Sequence, residues 1–74
     1  MEKKLKSIMA DVFVCNEIDI NENTIKEDLE NWDSLQHLIF VSKLEQEFDV
    51  KFKPEEINSM KSYISILGII KSKL

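Results

Sequence analysis

Arginine is missing from this chain: all ten basic side chains are lysine, set against fourteen acids for a net charge of −4. That balance argues against a nucleic-acid partner, which wants clustered Arg and Lys against phosphates. Cysteine occurs once, as Cys15, so there is neither a disulfide framework nor metal-ligand spacing. It reads as a small hydrophobe near a helix end. Glycine is also single, which leaves no glycine-rich oxyanion elbow. Long apolar runs are lacking too. Met1–Leu5 has no apolar stretch of signal-peptide type, and no segment approaches membrane-spanning length. The expectation is a cytoplasmic protein without a membrane partner.

What is there fits one small globular domain, residues 1–74, with 43% apolar and 32% charged residues. A chain of this size buries little surface, so three or four helices around one compact core and modest stability are expected. Charge is unevenly spread. Residues 16–33 hold Glu17, Asp19, Glu22, Glu27, Asp28, Glu30 and Asp33 against Lys26, while residues 61–74 hold Lys61, Lys71, Lys73 and no acid. A basic partner surface near the acidic loop is plausible, though such loops are usually just solvated.

Leu5, Ile8, Met9, Val12 and Phe13 recur at helical spacing and predict a first helix over Glu2–Cys15. Residues 16–33 break the period and read as a long ordered loop pinned by Ile18, Ile20, Ile25 and Leu29, with a short turn of helix at Ile25–Leu29. A second helix follows over Ser34–Phe48. Leu35, Leu38, Val41, Leu44 and Phe48 form its stripe, and Ile39 and Phe40 widen it or depart from it. Asp49–Lys53 alternates like a strand but has no partner, so a connector is expected. Pro54 suits the first position of a short helix, Pro54–Ser59, with Glu55 and Glu56 in its first turn. A last helix over Ser62–Lys73 turns Tyr63, Ile66, Leu67, Ile70 and Leu74 inward.

The most informative stretch is Asp33-Ser34-Leu35, where the acidic loop meets the second helix. Asp33 is placed to cap that helix, with Gln36 as its reciprocal partner. The Ser34 hydroxyl then stands on the first turn, where N–H groups and the helix dipole favour a phosphate. With no chemistry around it, this serine reads as an attachment point.

Trp32-Asp33-Ser34-Leu35-Gln36-His37-Leu38, continuing through Leu44-Glu45-Gln46-Glu47-Phe48-Asp49-Val50, resembles the acyl carrier protein family. Both halves of that family's signature are present, Asp-Ser-Leu and then Leu-Glu-x-x-Phe ten residues after the serine. Length, helix order and the acidic loop agree along essentially the whole chain. The resemblance implies an all-α fold, a small four-helix bundle of acyl-carrier-protein type with three main helices, a short third helix and a long first loop. It implies that Ser34 carries 4′-phosphopantetheine, transferred from coenzyme A by a phosphopantetheinyl transferase, with an acyl or aminoacyl group held on the arm's thiol. The carrier itself catalyses nothing. A loading ligase and a downstream transferase or synthase are the implied partners, and a shuttling monomer is the default.

By the same resemblance Asp33 serves transferase recognition and Leu35 is an apolar partner contact. Leu38, Val41, Leu44, Phe48, Met60, Tyr63 and Leu67 match interior positions lining the acyl-chain cleft, although all seven also read as ordinary core. Two departures stand out. The second helix presents Gln36, Ile39, Ser42, Lys43 and Glu45 where fatty-acid carriers are acidic, which suggests either docking by apolar contact more than charge or a different partner set. Ile39 either joins Leu35 in that patch or folds into the core edge. The approach to the serine reads Leu29-Glu30-Asn31-Trp32-Asp33, one residue longer than the Leu-Gly-x-Asp of many fatty-acid carriers. Asn31 is expected in a left-handed turn, and Trp32 half buried against the second helix or over the arm. The Trp-Asp-Ser-Leu form resembles discrete carriers of specialised pathways.

Three other readings compete. Asp19, Asn21, Asn23 and Glu30 match positions one, three, five and twelve of an EF-hand calcium loop, but Thr24 stands at its glycine and Lys26 at its apolar position. His37 lies one turn after Ser34, so a Ser–His catalytic pair is conceivable, yet no orienting acid is evident and His37 reads more simply as exposed. A helical adaptor with the carrier fold and no arm would use Asp33 and Ser34 merely as a cap.

Overall fold

Four α-helices, α1 (Glu2–Phe13), α2 (Ser34–Phe48), α3 (Pro54–Asn58) and α4 (Tyr63–Lys73), make up a computed structural model that describes residues 1–74. The all-helical architecture expected from the periodicity is the one found. The sole strand-like feature is an isolated antiparallel bridge between Ile25 and Ser62.

Helix α1 buries Leu5, Ile8, Met9 and Phe13. It ends two residues short of the expected Cys15 because Val14 turns left-handed, at φ 52°. A β-branched residue pays for that conformation in strain. The terminal carbonyls of α1 are capped from a distance: Asn31 Nδ2 donates to Phe13 O at 3.1 Å and Gln36 Nε2 to Val12 O at 2.8 Å. These bonds satisfy acceptors a helix end leaves orphaned. They also correct two expectations. Asn31 is not in a left-handed turn, since Val14 and Asp49 are the positive-φ residues, and Gln36 spends its side chain on α1 instead of reciprocating to Asp33.

The long loop holds two single turns of 3-10 helix, Glu17–Asp19 and Lys26–Asp28. Ile20 and Thr24 are buried and Leu29 partly so, but the side chains of Ile18 and Ile25 are exposed, and Ile25 joins the fold through its backbone bridge to Ser62 instead. Thr24 is the polar anchor: its hydroxyl accepts from Asn21 N–H at 2.9 Å and donates to Asp19 O at 3.3 Å. The loop is then fastened to the start of α4, with Lys26 N–H donating to Lys61 O at 2.8 Å and Tyr63 N–H to Thr24 O at 2.9 Å.

Helix α2 faces the core through Phe40, Val41 and Leu44, with Phe48 partly buried. Leu35 and Leu38, placed on the inward stripe by spacing, are exposed. The helix is rotated because Trp32 fills the space ahead of it, stacked 4.7 Å from Phe13 and edge-on to Phe40 at 6.2 Å. Trp32 is therefore buried, not half buried. The connector after α2 is non-helical as expected, and Phe52 within it is buried while its N–H donates to Glu45 Oε2 at 3.0 Å. Helix α4 buries Tyr63, Ile66, Leu67 and Ile70, whereas Leu74 is exposed.

Candidate functional site

Ser34 is the first residue of α2. Asp33, in extended conformation ahead of it, accepts the Gln36 N–H on Oδ1 at 2.8 Å. The Ser34 side chain is exposed and its hydroxyl has no hydrogen-bond partner in the protein. Beside it opens a cleft of about 430 Å³ lined by Lys26, Ser34, His37, Leu38, Ile57, Asn58, Met60 and Lys61. Four segments meet here: the loop, the first turns of α2, the end of α3, and the turn before α4.

His37 is half-buried and bridges three of those segments. Trp32 Nε1 donates to its Nδ1 at 2.9 Å, and its Nε2 lies 2.9 Å from Ile57 O. An indole N–H only donates and a carbonyl only accepts, so Nδ1 accepts and Nε2 donates, which selects the tautomer with its proton on Nε2. The expectation of a simply exposed histidine is corrected. With both nitrogens engaged, no lone pair is aimed at Ser34, and the Ser–His pair is not assembled.

Residues 3–70 match the family described as "Phosphopantetheine attachment site". The chain is also 39% identical over 72 residues to the acyl carrier protein of Buchnera aphidicola subsp. Baizongia pistaciae, covering 96% of this chain and 91% of that protein. The chain belongs to the acyl carrier protein family. It is a carrier and not an enzyme, its cofactor is 4′-phosphopantetheine, and its work is done with partner enzymes. No helix is long and apolar enough to cross a membrane. The site suits such a cofactor: a solvent-facing hydroxyl without a competing bond, a helix start whose dipole favours phosphate, and a cleft alongside.

The carrier's expected docking residues divide. Leu35 and Ile39 are 67% and 46% exposed, so Ile39 stands with Leu35 at the surface, and Ser42 is exposed as well. Gln36 and Glu45 are half-buried and occupied, Gln36 by Val12 O and Glu45 by Phe52 N–H.

The seven expected cleft residues divide too. Leu38 is 59% exposed, so it is not interior, yet it lines the cleft beside Ser34 together with Met60. Val41, Leu44, Tyr63 and Leu67 are buried in the closed core. Phe48 lies at the far end of α2, with Lys4 Nζ 5.1 Å from its ring centre. Tyr63 donates its hydroxyl to Glu2 Oε1 at 3.1 Å. Burial first, and that carboxylate second, push its pKa up to about 12. The Cys15 thiol is also pushed up, by burial and then by Asp19.

Within the loop that matched a calcium pattern, one of the four residues has its side chain bonded locally. Asn21 Oδ1 accepts from Asn23 N–H at 2.8 Å, and no three His, Cys, Asp or Glu side chains converge on a metal-sized site.

Lys26, Lys61, Ile57 and Asn58 at the cleft escaped the sequence reading. Lys61 and Lys26 meet only through the bridge between loop and α4, and no local pattern signals it. His37 carried one usable signal: a histidine five residues after a lone tryptophan, at the start of a helix, sits where an indole N–H needs an acceptor.

Proposed function

We propose that Ser34 is the attachment point of the 4′-phosphopantetheine arm, and that the protein carries an acyl or aminoacyl group as a thioester on that arm. The observation that carries this is the exposed Ser34 hydroxyl, unbonded, at the first position of a helix capped by Asp33. The arm supplies a thiol for thioester exchange when bound. The protein's own residues fix the pivot: Asp33 holds the first turn, while Asn31 and Gln36 tie the approach to α1. His37 is committed to structure, which leaves the carrier chemically silent toward its cargo.

Residues 1–74 act as one carrier domain, monomeric and cytoplasmic, loaded by a phosphopantetheinyl transferase that reads Asp33. A loading ligase charges the arm, and a downstream transferase or synthase discharges it. Leu35, Ile39 and Ser42 form the docking face, by apolar contact more than charge. Gln36 and Glu45 support that face from behind. A specialised biosynthetic pathway is the favoured setting, on the Trp-Asp-Ser-Leu form and this apolar face. Fatty-acid or polyketide-type synthesis is the other, and it is favoured by the similarity to an acyl carrier protein.

Intact-mass measurement after incubation with coenzyme A and a broad-specificity transferase tests the reading. Wild type is expected to gain one phosphopantetheine, and Ser34→Ala none. No gain on either would leave a helical adaptor without an arm.

A further inference from the structure

Two lysines line the cleft beside Ser34 with no acid paired to either. Lys26 comes from the loop and Lys61 from the turn before α4. Their backbones are pinned together, Lys26 N–H to Lys61 O at 2.8 Å, next to the bridge of Ile25 and Ser62. The ion pairs of the molecule are Lys4–Glu47 and Lys73–Glu56, and the lysines over aromatic rings are Lys4, Lys6 and Lys73. Asp28, the acid two residues after Lys26, is engaged otherwise, accepting from Ile25 N–H at 3.0 Å. Two lysines thus border one cleft in a chain of net charge −4, and an anion held there is attracted by both. Asn58 adds an amide to the same lining.

We propose that Lys26 and Lys61 form a clamp for the phosphodiester of the group esterified to Ser34, and so fold the arm into the cleft toward Leu38 and Met60. This rests on the assignment of Ser34 as the attachment point. Lysine ammoniums act as point charges for phosphate, and a phosphodiester tethered to Ser34 meets them at high effective concentration. The first-turn N–H groups of α2 add to the attraction. The clamp biases the arm between a stowed and a free position, with salt as the competitor.

The test uses the full-length protein loaded with the arm alone, its thiol free, so that no carboxylate of a cargo substitutes for the phosphate. Wild type, Lys26→Gln, Lys61→Gln, the double variant and a Lys26→Arg control are loaded and checked by intact mass. Phosphorus-31 relaxation then reports the motion of the phosphodiester, and melting temperature is compared with and without the arm. In wild type the phosphorus is expected to be restrained at low salt and released at high salt. The arm should raise the melting temperature by about 2–4 °C at low salt. The double variant should show a free phosphorus at every salt concentration and no such rise, each single variant should fall between, and Lys26→Arg should behave as wild type. Equal phosphorus mobility in wild type and double variant, or a wild-type signal indifferent to salt, overturns the clamp. Should the double variant resist loading, the wild-type salt series and the single variants decide. Failure of wild type to gain the arm overturns the Ser34 assignment itself, and the mass measurement shows that before any phosphorus signal is recorded.

Discussion

Helices α1 and α3 both flank α2, but different forces hold them there. Helix α1 inserts Leu5, Ile8, Met9 and Phe13 into the core, while α3 has no buried residue. Each fully buried apolar side chain contributes roughly 1.5–3 kcal/mol, so α1 is fixed by several such increments. Helix α3 packs a single side chain, the partly buried Ile57, against the core and is otherwise held by polar ties. Ile57 O receives the His37 ring, Glu56 accepts the Lys53 N–H at 2.8 Å, and Lys73 pairs with Glu56 at 2.9 Å. Ties of that kind are worth about 0.5–1.5 kcal/mol, and less where exposed. A five-residue helix also does not persist without help. The cleft beside Ser34 therefore has one rigid wall, built on α2 and the core, and one wall that yields at small cost.

Removing a core ring attacks the rigid side. Phe40→Ala, at a fully buried position 5.1 Å from Phe13, should lower unfolding free energy by about 3–5 kcal/mol in urea titration. An alkaline series probes the polar tie between α1 and α4. The Tyr63 pKa is raised to about 12 from 10.0, so the folded state keeps a proton that the unfolded chain loses. That stability is fully present below pH 10.0 and is lost as pH rises to about 12. The loss should reach at most about 2.7 kcal/mol, and Tyr63→Phe should flatten that part of the curve.

His37→Ala strikes the yielding wall. A global loss of about 1–2 kcal/mol is expected, with faster amide exchange at Ile57 and Ser59 and little change at Leu5 or Met9. Uniform acceleration across both helices would show that α3 is not held separately. Gly68→Ala serves as a control remote from both walls of the cleft. Gly68 is exposed on α4 with nothing near an added Cβ, so the change should stabilise by about 0.5–1 kcal/mol and leave the contrast between α1 and α3 untouched. The smallest effect belongs to Glu56. The Lys53 N–H and then Lys73 hold its carboxyl below the usual range. Its tie is present above ordinary carboxylate pKa values and fades as pH falls through the depressed one, visible as slightly faster exchange in α3 alone.

The rigid side was the more legible in sequence. The α1 face and the inward residues of α4 follow directly from apolar spacing, and Pro54 marks the short helix. Helix α2 misled because it is apolar on more than one face. Leu35, Leu38 and Ile39 compete with Phe40, Val41 and Leu44, and periodicity ranks them equally. What decides the rotation is Trp32 packing ahead of the helix and His37 bonding across to Ile57, neither of which has a period. Gln36 and Glu45 fall on the docking face only by resemblance to the family's second helix, and local spacing does not show that their side chains are occupied. Their partners, Val12 O and Phe52 N–H, lie on other segments. The Asp-Ser-Leu motif around the proposed attachment point is a local pattern and can be read in sequence, whereas Lys26 and Lys61 are neighbours only through a tertiary bridge.

Trp32 is the chain's one tryptophan, and it stands just ahead of Asp33 and Ser34 with its indole N–H bonded to the histidine that holds α3. Whatever draws α3 aside changes that hydrogen bond, and with it the polarity and quenching felt by the indole. The protein thus contains an intrinsic fluorophore wired to the movable wall of its own cleft. Opening and stowing become visible as changes in ultraviolet emission, in real time and on unlabelled protein, while partner enzymes handle the arm.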